Sequence, residues 1–493
     1  MSLLTGDRMQ WLEGIATHAK SIPDNPALRY ICHETATEET VTYSELERRS
    51  DHAAAVLQKV VPPGSTILLC LRNGTDFPIA LLAAFKAGLS VLPVSTSSTV
   101  HELRELAETV SAALFIRHEG DVRTLGHPAV LEMDVSDLHT GSERTPGEVH
   151  GRPALMLRTS GTTGMPKVVF RDMQSVDQVS QNVCAAMRLT PDDSVLALVP
   201  MCHSYGIEHC VLAPLHAGSE VVTVDGIDAS PIHALLRDSA ATVFPGFPFA
   251  YERMIEEAPR HYTHSLRLAY SAGSTLPETV SNRFFDQFGV RLGQLYGSTE
   301  VGSVLFNDPE SEELSTRSVG HPLPGVRTLI LDIEDPDLAR PLAPGCEGQI
   351  AIISSTMLSR YVGHEMRDML EGHFLTGDLG LKDASGAIEI TGRLKHQIDI
   401  AGAKVNPLEV EAAILECEGI RECVVIPCGV RGTLKRLRAV LVAESSASPP
   451  AVADLKAHLR SRLSAYKVPR LYEFRTELPR TPLGKIIRSE SAF

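Results

Sequence analysis

The 493-residue chain lacks the marks of several protein classes. None of its nine cysteines forms a CxxC pair, which fits reduced thiols better than a disulfide frame. Positive charge is not in excess: 46 Lys and Arg against 61 Asp and Glu leave −15, which argues against a nucleic-acid or anionic-membrane partner. No apolar run approaches the ~18 residues that span a bilayer, and the start, MSLLTGDRMQWLEGIA, has no basic stretch leading into an apolar core. Internal repeats and long low-complexity segments are missing too. The expectation is a soluble, cytoplasmic protein, and roughly 150 residues per domain predicts about three domains or one large multi-part body.

What is present is a rhythm. Thr42-Tyr43-Ser44-Glu45 has capping-box spacing and opens a helix to about Lys59; Pro62-Pro63-Gly64 breaks it, and TILLCLRN follows as a buried strand. Helix-like and strand-like runs then alternate through FPIALLAAFKAG, SVLPV, SVLALVP, a helical stretch to Leu215, EVVTV, PIHALLRDS, ATVF, FAYERMIEEA, LRLAYS, ETVSNRFFDQF and VRLGQLY. This alternation predicts parallel sheets with helices on both faces. Past Gly325, VRTLILDI, GQIAII and AIEITG predict a small antiparallel barrel or meander, and from about Lys395 a compact α+β unit follows. The predicted fold class is α/β: a large N-terminal domain, 1–394, of wound sheets plus a small β-barrel-like subdomain, and a small C-terminal domain, 395–493.

Thr159 to Lys167 reads TSGTTGMPK, between the strands PALML and KVVF. The spacing is not the GxxxxGK[ST] of a Walker loop, yet Ser160, Gly161, Thr162, Thr163 and Gly164 supply hydroxyls and permissive φ angles for a nest of N–H groups around an anion, and Lys167 adds a mobile charge. By default such a run is a solvated loop. Further segments point the same way. Gln294-Leu295-Tyr296-Gly297-Ser298-Thr299-Glu300 ends a strand, where open α/β sheets place ligands, and offers an aromatic face, a hydroxyl and a carboxylate suited to magnesium. Thr376-Gly377-Asp378 gives an acceptor for a ribose diol, Gly392-Arg393 opens the border of the last unit, and PRTPLGK sets Lys485 in a turn. Cys202, His203, His209 and Cys210 lie within nine residues, but their spacing is not that of a zinc site.

TSGTTGMPK, YGSTE, TGD, GRLKHQIDIAGAKVNPLEVE and PRTPLGK resemble, in order and spacing, the signature segments of the adenylate-forming superfamily of acyl-CoA synthetases, 4-coumarate:CoA ligase, luciferase and peptide-synthetase adenylation domains. VTYSEL and FKAGLSVLPV extend the resemblance over nearly the whole chain. It implies that Thr159–Lys167 wraps the β- and γ-phosphates of ATP, that Tyr296, Gly297 and Gln294 contact adenine, that Thr299 faces the α-phosphate, and that Glu300 holds Mg²⁺. Asp378, with Arg393 beside it, matches the ribose-binding position, and Lys485 the lysine that bridges carboxylate and α-phosphate. It also implies that the C-terminal domain is mobile, turning at Lys395 between two half-reactions and bringing the loop with Gly402 and Lys404 in for thioester formation. His203 falls in the wall of the acyl pocket, with capping of the following helix as its alternative role; Phe247, Gly273 and Ser274, with Phe244 and Gly246, fall in segments lining that pocket.

The implied activity is ATP- and Mg²⁺-dependent conversion of a carboxylic acid to acyl-AMP, then transfer to a thiol, with CoA as the expected acceptor. The alternatives are a stand-alone ligase loading a phosphopantetheinylated carrier protein, since no carrier domain follows Phe493, and a non-catalytic nucleotide- or acyl-binding relative, against which Glu300 and Lys485 argue. Members that activate α-amino acids carry an Asp where this chain has Cys202, His203, Ser204 and Tyr205, and a buried ammonium without a carboxylate is costly. A fatty, aryl or other non-amino acid is therefore expected. Arg158, Val168 and His396 depart from the family pattern, which points to an atypical subgroup.

Overall fold

The computed structural model describes residues 9–32, 37–140, 145–147, 152–159, 167–224, 231–259, 262–311, 314–396, 398–400, 403–429, 435–444, 449–481, 486–488 and 492–493. The chain divides into two compact units, Met1–Arg327 with Ile353–Met369, and Thr328–Ile352 with Leu370–Phe493.

The first unit is built on two sheets. One runs Ser318–Pro322, Gly302–Asn307, Leu292–Ser298, Leu268–Ser271, Val243–Gly246, Ser194–Ala197, Glu220–Val224, Pro26–Cys32, Thr37–Thr42. Its middle is parallel, as the strand-helix alternation predicts, while both flanks turn antiparallel through hairpins. The other runs Arg360–Val362, Val168–Asp172, Ala154–Arg158, Ser90–Pro93, Thr66–Cys70, Ala112–Arg117, Leu131–Asp134, parallel except where Val168–Asp172 meets its two neighbours. The pair of Ala154–Arg158 with Val168–Asp172 departs from an all-parallel reading because so short a connection cannot make a crossover. Every residue of Thr66–Cys70 is buried, as a strand covered on both faces must be.

Local signals hold where they are explicit. Helix Tyr43–Val60 starts on a true capping box, with Thr42 N donating to Glu45 Oε2 at 3.1 Å and Glu45 N to Thr42 Oγ1 at 3.3 Å. The helical stretch toward Leu215 is instead three pieces, with a π-helical turn over Glu208–Leu212; such turns gather at functional sites. Trp11, the single tryptophan, is fully buried and donates its indole N–H to Leu212 O at 2.8 Å.

In the second unit, Val326–Leu331, Gly348–Ser354, His373–Lys382 and Ile388–Arg393 lie side by side, the last three antiparallel. A three-stranded sheet of Ile420–Gly429, Lys435–Ala443 and Leu471–Arg475 follows, with helices Pro407–Leu415 and Val452–Arg462 closing a core around Val410, Ile414, Leu441 and Leu459. The border predicted at 394/395 falls in a short 3₁₀ turn, Leu394–His396, of this unit. Among the described residues no helix is long and apolar enough to cross a membrane.

Candidate active site

Strands Ala154–Arg158 and Val168–Asp172 pair antiparallel, and the glycine-hydroxyl run connects them. Ser160, Gly161, Thr162, Thr163 and Gly164 lie outside the described residues. The neck of the loop is described and closed twice: Thr159 N donates to Lys167 O at 2.9 Å, and Lys167 N to Thr159 Oγ1 at 3.1 Å. Lys167 Nζ lies 3.6 Å from an Asp368 carboxylate oxygen and 4.4 Å from the Tyr361 ring centroid. Both partners of that ion pair are more than a third exposed, so it contributes little and leaves the ammonium able to exchange it for a phosphate.

The strand-end segment forms the tight hairpin between Leu292–Ser298 and Gly302–Asn307. A Cβ on Gly297 would come within 2.3 Å of Gly302 O, so only glycine permits this closure, and Gly302 itself sits at φ +77°. Gln294 is buried and spends its amide N–H groups on Thr316 O and Ser318 O, at 2.8 and 3.1 Å, which leaves the side-chain oxygen as an acceptor toward a base. Tyr296 and Thr299 are half-buried.

Glu300 N donates to Ser298 Oγ at 3.3 Å, Glu300 O accepts from Leu358 N at 2.7 Å, and its carboxylate stands close enough to the Tyr361 phenol to act on its ionisation. Burial, with Glu300 and Asp368 nearby, pushes the Tyr361 phenol up, so it stays a neutral donor. Lys167 and Glu300 therefore meet at one tyrosine, the ammonium over its ring and the carboxylate near its phenol. Among the described residues no three His, Cys, Asp or Glu gather as a metal site. One or two carboxylates near Tyr361, Glu300 with Asp368, are a donor set that would suit magnesium, which takes one or two protein carboxylates and otherwise keeps phosphate oxygens and water.

His203 stands at the N-cap position of helix Ser204–Ile207 but makes no side-chain cap bond, so the capping alternative is corrected: the ring is not spent on the helix end. Burial first and Arg158 second hold it below the ordinary imidazole value, hence neutral. Phe247 is buried ahead of helix Pro248–Glu257, and Gly273 and Ser274 are exposed just past strand Leu268–Ser271.

His209 is buried, and both of its ring nitrogens are engaged, Nδ1 with Tyr270 Oη and Nε2 with Ser303 Oγ, each at 2.8 Å. Burial pushes it down to about 3. The unfolded chain then binds more protons than the folded one below about pH 6.5, so this contribution to stability is complete above that pH and is lost as pH falls toward 3. The stability difference between wild type and His209→Gln is expected to narrow by about 1.4 kcal/mol per pH unit below 6.5, read from urea denaturation at a series of pH values.

In the second unit Asp378 and Arg393 are register partners on adjacent strands, with Arg393 Nε 2.6 Å from Asp378 Oδ1. Thr376 Oγ1 accepts from Asp378 N at 3.1 Å and donates to Ile350 O, fixing the TGD segment inside strand His373–Lys382, where the pairing register shifts. Lys395 is in the 3₁₀ turn. Lys404 lies on strand Ala403–Val405, paired with Ile398–Ile400. Gly402 and Lys485 lie outside the described residues.

Sequence reasoning missed Tyr361 and Asp368, and it missed Arg171 and Glu208, a wholly buried ion pair at 2.6 Å. The last two had a signal: Arg171 directly follows the apolar run VVF, and Glu208 lies inside GIEHCVL.

Two family models match the chain, AMP-binding enzyme over residues 15–362 and AMP-binding enzyme C-terminal domain over residues 409–485. A fatty acid–[acyl-carrier-protein] ligase, ScoC, of Streptomyces coeruleorubidus is 27% identical across 96% of this chain and 94% of its own length. A benzoate–CoA ligase of Thauera aromatica is 28% identical across 91% and 89%. The ATP-bound MatB structure from Rhodopseudomonas palustris superposes with a TM-score of 0.86 over 96% of this chain and 97% of that one, at 23% identity, a likeness of fold. Motifs, fold and family models converge: the chain belongs to the AMP-binding enzymes.

Proposed function

We propose that this chain is an AMP-forming acid–thiol ligase that activates a non-amino carboxylic acid with ATP and passes the acyl group to a thiol, CoA in the first place. The observation that carries the reading is the meeting of Lys167 and Glu300 on Tyr361, which brings a phosphate-binding cation and a magnesium-binding carboxylate to one place in the first unit.

The chemistry follows from charge. A carboxylate oxygen of the acid attacks the α-phosphorus, and the bond to the β-phosphate oxygen breaks with departure of pyrophosphate; a thiolate then attacks the acyl carbon and AMP leaves. The first step drives an anion at a polyanion, so the residues supply positioning and countercharge rather than a covalent intermediate. Thr159–Lys167 holds the β- and γ-phosphates, Thr299 orients the α-phosphate, and Tyr296, Gly297 and the Gln294 oxygen hold the adenine. Magnesium at Glu300, when bound, withdraws charge from the phosphate oxygens. Asp378 and Arg393 hold the ribose, and Lys485 supplies the cation between acid and α-phosphate. His203, Phe247, Gly273 and Ser274 line the acid site. Residues 395–493 turn at Lys395 for the thiol step, bringing in Gly402 and Lys404. The place of action is the cytoplasm.

Carrier protein is the alternative acceptor, favoured by the relative whose name specifies one. The test is pyrophosphate–ATP exchange over a panel of fatty, aryl and α-amino acids, then product analysis with CoA and with phosphopantetheinylated carriers. Exchange with fatty or aryl acids and not with amino acids is expected; exchange with no acid overturns the assignment.

A further inference from the structure

We propose that Arg171 is a positioning residue for adenylate formation, fixing the backbone that carries Thr299 and Glu300. Arg171 lies on strand Val168–Asp172, immediately past the phosphate-binding loop, with its side chain fully buried. Its Nη2 donates to Thr299 O at 2.7 Å and to Ser298 O at 3.4 Å, and its Nη1 pairs with Glu208 Oε1 at 2.6 Å. With Leu358 N donating to Glu300 O at 2.7 Å, three successive carbonyls of the turn are tied down, so the side chains of Thr299 and Glu300 leave a fixed backbone. Gly302 suits the turn through its φ of +77°, and it packs against the guanidinium, a Cβ there standing 3.4 Å from both Nη atoms.

Glu208 is held in turn. Its Oε2 accepts from Ser303 N at 3.0 Å and from Ser303 Oγ at 2.6 Å. Because Ser303 gives its hydroxyl proton to the carboxylate, its oxygen accepts from His209 Nε2–H, and His209 Nδ1 then accepts from the Tyr270 hydroxyl. Every proton in the chain points toward Glu208, so its oxygens are filled by donors on both sides and the guanidinium stays paired. Stability does not require the arrangement: a buried ion pair is often matched by apolar residues of similar volume, and Arg171 Nε has no hydrogen-bond partner. What an apolar pair cannot do is donate two N–H groups to carbonyls 298 and 299.

The proposal rests on Thr299 and Glu300 acting in adenylation, so Glu300→Gln is assayed alongside. In pyrophosphate exchange with saturating acid, Arg171→Lys is expected to lose about tenfold, and the apolar double variant Arg171→Met with Glu208→Leu about a hundredfold, since a displacement near 1 Å at a reacting group costs on that order. The half-maximal Mg²⁺ concentration should rise severalfold in both, while both variants stay folded, the double variant with a lowered thermal midpoint because Ser303 N and Oγ and carbonyls 298 and 299 lose their partners. A folded double variant with wild-type rate and Mg²⁺ dependence overturns the proposal, and so does a double variant that fails to fold, which would make the pair a folding element. Wild-type activity in Glu300→Gln would overturn the reading of the turn itself.

Discussion

Lys485→Ala is expected to lose adenylate formation by on the order of 10²- to 10³-fold, roughly 3 to 4 kcal/mol of transition-state stabilisation, while nucleotide binding survives. The reason is where charge develops. In the proposed function the phosphate-binding loop, Lys167 and a metal at Glu300 would already counter ATP in the ground state, so one further cation would add little to affinity. The five-coordinate α-phosphorus with an incoming carboxylate is the species that needs an ammonium between acid and phosphate. The described residues on either side of Lys485 are fixed. On either side of the lysine, Arg480 and Ile486 form a β-bridge, and Ile487 N donates to Pro479 O at 2.9 Å. Ile486 packs against the cluster of Val424, Ile426, Val440, Val442 and Leu478, and three residues past the lysine Arg488 makes a two-pronged pair with Glu411 at 2.5 and 2.7 Å. The base of the segment is thus anchored in its own unit. Pyrophosphate exchange beside equilibrium ATP binding checks the prediction; full exchange activity in the variant would refute the role.

How much of this was legible depends on how local each signal is. Helix Glu278–Phe288 was readable to the residue because Pro277 precedes it and Gly289, at φ +71°, ends it. The tyrosine-glycine strand end was readable because its glycine, hydroxyl and carboxylate are consecutive. Tyr361 was not: it lies 61 residues beyond Glu300 and 194 beyond Lys167, inside an unremarkable SRYVG, and only strand pairing of Arg360–Val362 with Val168–Asp172 brings it there. Sheet order was hidden for the same reason, since period and turn signals predict that a strand exists but not which strand it pairs with. Arg171 and Glu208 were each visible as charges in or beside apolar runs, yet neither run names its partner 37 residues away.

That buried pair carries the second large expectation. Glu208→Ala should destabilise the first unit by about 3–5 kcal/mol, because it leaves a guanidinium in the core with no countercharge, and arginine cannot shed its proton to escape. Three groups lose their acceptor at once: Arg171 Nη1, Ser303 N and Ser303 Oγ. No slack exists to absorb this, since Arg171 Nε already has no partner and both residues are almost wholly excluded from solvent. Cavity formation alone would predict a smaller loss for a side chain of this size and one that Glu208→Leu would restore. The ionic account predicts the opposite: Glu208→Leu alone should be about as damaging as Glu208→Ala, and stability should return only when Arg171→Met is added, and then in part, since Ser303 N and Oγ still lack their acceptor; a double-mutant cycle isolates this coupling between adjacent groups. Chemical denaturation followed through tryptophan fluorescence reports on this unit, because Trp11 lies in it. A loss below about 1 kcal/mol in Glu208→Ala, the scale of an exposed pair, would mean that water reaches Arg171 and that the charge is not sealed in.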